Sequence, residues 1–417
     1  MNLLKTSVLN GVAVLIKTAT MFLLNKILAV YVGPSGYAVI GQFQNFIQMI
    51  TTFAGSAINT AVIKYTAEYY EDECKQRSIW KTAGSLVLIF SIFFSIIILI
   101  FQKQLSLYIF HTDAYQSVFI WFAIFLSFFT FNALFLAILN GRKEVLKLVI
   151  ANIFGSIFSL VATSILAVKY GLYGALIALS IYQSLAFFVT LFICSKSEWF
   201  KLRYLFGKID SGIAQNFLAF VAMALVSAVC VPLSQMVIRS YLTNEYGVTY
   251  AGYWEAMIRL SAAYLMLVTT TLGVYYLPRL SELKNLKHIK SEVHLGYKYI
   301  FPLAVLGGVI VYLLKDWVIV LLFTKAFLPM RELFLWQMIG DSLKIGSWIL
   351  AYLMLSKAMT KLFITTEIIF AITSIVLTYV CTQYLGFEGV SIAHLLNYGM
   401  YWIVMSYFVF RNLKETV

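Results

Sequence analysis

Apolar residues run along this chain in long stretches rather than in the two-residue alternation of strands, and short basic or glycine-bearing turns separate them. An α-helix of about 20 residues reaches across the roughly 30 Å hydrocarbon layer of a bilayer. Twelve stretches have that length, at 8–31, 38–64, 82–102, 115–139, 146–168, 174–195, 213–238, 251–277, 299–322, 331–355, 362–384 and 389–410. Leu86 to Phe101 carries no charge, and serine is its one polar residue type. No connection exceeds about 20 residues, so the pattern predicts an all-α integral membrane protein of 12 transmembrane helices without an extramembrane domain.

The stretches repeat. Tyr170-Gly171-Leu172-Tyr173-Gly174 resembles Leu385-Gly386-Phe387-Glu388-Gly389, 215 residues on, and Gly141-Arg142 matches Ser356-Lys357 at the same offset. Six spans per half is an even number, so both halves insert the same way up. The expectation is two six-helix lobes, 1–208 and 209–417, related by a pseudo-twofold axis along the membrane normal around a central cationic cavity. Alternate connections carry 21 Lys and Arg on one side and 6, including Arg239, on the other, which predicts both termini on the cytoplasmic side. Trp80, Trp121, Trp199, Trp254, Trp317 and Trp336 fall near predicted span ends, as an interfacial belt requires. Trp348 and Trp402 lie deeper and read as packing residues.

Composition agrees with a membrane solvent. Of 417 residues, 61% are hydrophobic, 17% aromatic and 12% charged, and the mean hydropathy is +0.87. Soluble domains carry about 25% charged residues. The formal charge of +13 would suggest nucleic acid, but its Lys and Arg lie in short turns where topology accounts for them. Cys74, Cys194, Cys230 and Cys381 are far apart, without CxxC spacing or a nearby histidine, so neither a metal nor a disulfide framework is predicted. The apolar N-terminal stretch is too long for a signal peptide and lacks a cleavage pattern, so it reads as an uncleaved first span.

Candidate chemistry lies in the charges the spans contain. Lys17 and Lys26 are in the first, Arg259 in the eighth, and Asp341 and Lys344 in the tenth. A charge in hydrocarbon costs about 2.5–3.5 kcal/mol on insertion scales, so each needs a wet cavity or a partner. The surplus is positive, which suits an anionic cargo. Glu255 and Arg259, and Asp341 and Lys344, have the i,i+4 and i,i+3 spacings of pairs on one helix face. Gln42, Gln44, Asn45 and Gln48 open the second span, and the last three form a polar stripe suited to helix packing or to sugar hydroxyls. Asp341, Glu255 and Glu367 are the acids available for ion coupling, although Glu367 lies only about two turns inside its span. There is no P-loop, HExxH or GxSxG, so no enzyme and no cofactor is predicted.

Trp336-Gln337-Met338-Ile339-Gly340-Asp341-Ser342-Leu343-Lys344 resembles the WQxxGDxxK segment of Wzx-type lipid-linked oligosaccharide flippases. Phe327 to Phe334 is similar to the residues that precede it there. Lys17, Lys26 and the turn Gly33-Pro34-Ser35-Gly36, and Tyr276-Leu277-Pro278-Arg279-Leu280-Ser281, are similar too. The resemblance implies a polysaccharide transporter of the multidrug/oligosaccharidyl-lipid/polysaccharide (MOP) exporter superfamily in the bacterial inner membrane. Such a protein moves undecaprenyl-pyrophosphate-linked oligosaccharide repeat units to the periplasmic leaflet by alternating access, for O-antigen or enterobacterial common antigen. A polysaccharide polymerase and a chain-length regulator are the implied partners, beside membrane lipids. Lys17, Lys26, Arg259 and Lys344 would hold the pyrophosphate, with Asp341 orienting or neutralising Lys344; Arg259 has charge alone in its favour. Three alternatives remain. A multidrug/cation antiporter of the superfamily would want acids where the first span has lysines. A peptidoglycan-precursor flippase has more spans. A membrane-embedded polysaccharide polymerase usually shows a long periplasmic loop.

Overall fold

The computed structural model describes residues 3–276, 279–280, 283, 285–357 and 359–416. Leu277, Pro278 and Ser281 of the segment closing the eighth span, and Lys284 of the basic turn after it, lie outside the described residues. Every predicted span falls on a helix. They are α1 (Leu3–Tyr31), α2 (Gly33–Phe53), α3 (Asn59–Glu68), α4 (Glu73–Phe110), α5 (Gln116–Gly141), α6 (Val145–Ser195), α7 (Ser211–Tyr246), α8 (Val248–Thr271), α9 (Leu286–Leu313), α10 (Lys315–Leu322), α11 (Phe334–Ser356), α12 (Thr360–Leu385) and α13 (Gly389–Thr416). No strand occurs among the described residues. Seven helical stretches are long and apolar enough to cross a membrane, or eight if the α2–α3 pair, bent by 66°, is one span. The protein is a multi-pass integral membrane protein.

Two of those stretches each cover two predicted spans. Within α6, Gly171 has φ 56° and ψ −133°, outside the helical region. A straight helix would separate Leu166 from Gly174 by about 12 Å, yet a Cβ on Gly174 would collide with the Leu166 carbonyl oxygen. The chain therefore folds back there. The same device recurs 215 residues on, where Gly386 has φ 68° and ψ −154° and a Cβ on Gly389 would strike the Cys381 carbonyl group. Glycine is needed at Gly171 and Gly386 because other residues rarely adopt positive φ. The sequence repeat is thus a repeat of local geometry.

Contacts divide the chain into two compact units, Met1–Val32 with Val39–Pro232, and Gly33–Ala38 with Leu233–Val417. In the first, α5 packs along α4 and α6, and α1 packs on α6. Phe43, Phe46, Phe119 and Phe122 meet edge to face or stacked in its core, with ring centres 5.4–6.3 Å apart. In the second, α11 packs on α9 and α13, and α12 on α13. Residues 33–38 join this unit because Gly252 of α8 has no side chain to hold off the Pro34 carbonyl, Ser35 and Thr249 hydroxyls bond at 3.1 Å, and Tyr37 wedges against Phe323 and Phe327.

Three tryptophans depart from the interfacial belt. Trp80 is buried and donates to Thr66 Oγ1 at 3.0 Å, Trp199 donates to Glu144 at 3.0 Å, and buried Trp254 lies beside the Arg239 guanidinium. Each indole N–H or ring face has a polar partner inside the protein, which removes the reason to sit at the headgroup level. Trp121 and Trp317 are exposed. Trp402 is a packing residue, stacked on Tyr297 and donating to its hydroxyl at 2.8 Å.

Gly174→Val and Gly389→Val should each lower the melting temperature in detergent by about 5 °C or more, because backbone atoms block the new side chain. Gly155→Ala, whose Cβ would meet Ala186 at an ordinary 3.7 Å, should leave it unchanged. Tolerance of valine at both tight glycines would refute the fold-back geometry.

Candidate functional site

In the second unit the charges form two clusters. The first joins α7 and α8. Glu255 accepts from Arg259 Nε at 2.8 Å and from Arg239 at 2.5 Å. Arg259 also lies 5.3 Å from the centre of the Tyr37 ring, and Arg239 5.5 Å from that of Trp254. The i,i+4 pair read from the sequence is therefore present, but it is part of a triad. Arg239, counted among the loop cations, is instead inside α7 and 1% exposed. The span drawn at 213–238 stops one residue short of it, whereas the helix continues to Tyr246. One carboxylate between two guanidiniums leaves the triad with a net charge of +1.

The second cluster joins α8, α11 and α13. Asp341 is fully buried. Its Oδ1 accepts from His394 Nε2 at 3.0 Å and from Gln337 Nε2 at 3.3 Å, and its Oδ2 accepts from the Tyr264 hydroxyl at 3.0 Å. An ionised carboxylate only accepts, which fixes His394 Nε2 as a donor. Gln337 also donates to Ser261 at 3.3 Å and accepts from Ser391 at 3.4 Å, so the network is closed on itself. The pairing of Asp341 with Lys344 suggested by their spacing does not form. Asp341 pairs with His394, and the Lys344 ammonium lies over Trp348 at 4.9 Å and Tyr398 at 5.3 Å. The physical reason is competition: three donors from three helices saturate the carboxylate and turn it from its neighbour.

The other sequence candidates are placed separately. Lys17 is exposed and Lys26 half-buried on α1. Of the amide stripe on α2, Asn45 is buried, Gln44 half-buried and Gln48 exposed. Glu367 is half-buried on α12. The structure thus brings together Glu255 with Arg259, and Asp341 with the helix that carries Lys344. Sequence reading missed Arg239, Tyr264, Gln337 and His394 as members of these clusters. His394 alone carried a local signal, being the one histidine within a predicted span.

The polysaccharide biosynthesis protein family matches residues 3–284. The chain belongs to that family. It is 30% identical to a protein named lipid III flippase from Escherichia coli (strain K12), over 88% of each chain, and equally to one of that name from Shigella flexneri. Solved structures share the fold at low identity. A multidrug resistance MATE family transporter of the MOP superfamily, in an inward-facing conformation, superposes with a TM-score of 0.79 at 15% identity over 96% of this chain and 95% of that one. A MOP superfamily transporter from Pyrococcus furiosus gives 0.67 at 14% identity over 97% and 96%. The protein is a transporter of the MOP superfamily, of the Wzx type, and not an enzyme.

Glu255→Ala should destabilise the protein by about 3–5 kcal/mol, the usual cost of leaving a buried cation unpaired. Combining it with Arg239→Met should recover part of the lost melting temperature. If Glu255→Ala melts like the wild type, the triad is not a structural constraint.

Proposed function

We propose that this protein is a flippase for lipid-linked oligosaccharides, moving undecaprenyl-pyrophosphate-linked repeat units from the cytoplasmic to the periplasmic leaflet by alternating access. The observation that carries the reading is Lys344, an ammonium within a helix bundle that no carboxylate neutralises among the described residues. An anionic headgroup offsets the desolvation of such a cation, and a pyrophosphate offers several acceptors at once. Trp348 and Tyr398 beside it supply faces on which sugar rings stack. The identity to the lipid III flippases supports the same class of cargo.

Lys17 and Lys26 are proposed as headgroup cations of the first unit, and Gln44, Asn45 and Gln48 as its sugar-hydroxyl contacts. Arg259 acts through the field of the triad rather than as a separate ligand, since Glu255 already holds it. Asp341, Glu255 and Glu367 are the proposed carriers of any ion coupling. Twelve crossings follow if the chain folds back at Gly171 and Gly386 and if α1 and α8 also span. The basic turns then put both termini on the cytoplasmic side of the bacterial inner membrane. Surface-polysaccharide assembly, with a polymerase and a chain-length regulator as partners, is the setting this cargo implies, and O-antigen is one product.

In proteoliposomes containing a fluorescent undecaprenyl-pyrophosphate sugar, the protein should abolish the sidedness of quenching by a membrane-impermeant quencher. Lys344→Ala and Lys17→Ala should each slow this by roughly tenfold, the loss expected for one charge-assisted contact. Retained sidedness, with ion-driven efflux of organic cations, would replace this reading with a cation antiporter.

A further inference from the structure

Asp341 and Lys344 stand one turn apart on α11, a spacing at which opposite charges ordinarily pair. Here both Asp341 oxygens are occupied by other donors, His394 from α13, Tyr264 from α8 and Gln337 one turn back on α11. Lys344 is left against two aromatic rings. We propose that His394 is a positioning residue, which holds the Asp341 carboxylate away from Lys344 and so keeps that ammonium available to a phosphate headgroup. The proposal rests on the pyrophosphate-linked cargo argued above.

The internal repeat supplies an independent observation. The positions 215 residues before Ser261, Tyr264, Gln337, Asp341, Lys344 and His394 hold Phe46, Met49, Phe122, Leu126, Phe129 and Leu179. Phe46 and Phe122 touch, with ring centres 6.0 Å apart, at the place where Ser261 and Gln337 share a hydrogen bond in the second unit. The same scaffold therefore packs well with apolar side chains at every one of these positions. Burying a carboxylate, an imidazole and an ammonium there costs free energy that the fold does not require. The cluster is placed for what it holds, and the arrangement leaves the cation, not the anion, with its charge uncommitted.

Removing His394 removes one of the two donors to Oδ1 and lets the carboxylate turn toward Lys344. His394→Leu copies the residue found in the first unit. Binding of undecaprenyl pyrophosphate and of inorganic pyrophosphate would be measured on the full-length protein in nanodiscs, with thermal melting recorded for each variant. Lys344→Ala should weaken undecaprenyl pyrophosphate binding by at least tenfold, and His394→Leu by about as much. The double variant His394→Leu/Asp341→Asn should return close to wild-type affinity, because no carboxylate is left to neutralise Lys344. Inorganic pyrophosphate should follow the same order if the headgroup alone is read. Wild-type affinity in His394→Leu overturns the proposal, as does a weakened His394→Leu that Asp341→Asn fails to rescue in a folded protein. A wild type that binds neither probe would instead overturn the cargo reading, and this inference with it.

Discussion

Charge inside a low-dielectric helix bundle must be compensated, and the arrangement of the second unit follows from how that demand is met. Glu255 sits between two guanidiniums, so each arginine has a partner although one positive charge remains over. Asp341 is surrounded by donors from three helices, so its charge is spread over hydrogen bonds and not cancelled by the lysine next to it. The two clusters solve one problem in different ways. In the first the cations are bound by the anion; in the second the anion is held and the cation is left facing aromatic rings. Breaking either arrangement exposes a buried charge, and that penalty exceeds what most surface contacts contribute.

Backbone satisfaction is the second constraint, and it explains the repeat. A chain in hydrocarbon has no water to bond its N–H and C=O groups, so it crosses as helix and turns only where the turn is compact. Gly171 and Gly386 take the same unusual dihedral angles, and the glycines three residues later accept a backbone carbonyl in close contact. Two copies of one scaffold then differ mainly in what fills it. One copy is packed with phenylalanine and leucine. The other carries ionisable groups at the equivalent positions, a difference that stability alone does not account for.

Much of the fold was legible because helix length and hydrophobic runs are local properties. Each predicted stretch lies on a helix, and the Gly171 and Gly386 turns sit where the repeated sequence placed them. Boundaries were less legible. Arg239 lies one residue beyond a span drawn on hydropathy, and continuation of α7 to Tyr246 put it inside the protein. The tryptophan belt was misread at Trp80, Trp199 and Trp254 for a related reason: a polar N–H near a span end reads the same whether its partner is a lipid headgroup or a threonine.

Sequence alone determined that this chain lives in a membrane, that its connections are short, that it is built twice, and which spans hold charge. Those follow from hydropathy and spacing, which a chain carries before it folds. Spacing also located the Glu255–Arg259 pair, since both residues share one helix. Which charges meet across helices was decided by tertiary structure. Arg239, Tyr264 and His394 come from elements 16 to 77 residues away from their partners, and nothing in a local pattern ranks them above other candidates. The contest for Asp341 between its neighbour Lys344 and three donors, two of them on other helices, is settled only when those helices pack, because hydrogen-bond geometry in a buried site outweighs proximity along a helix.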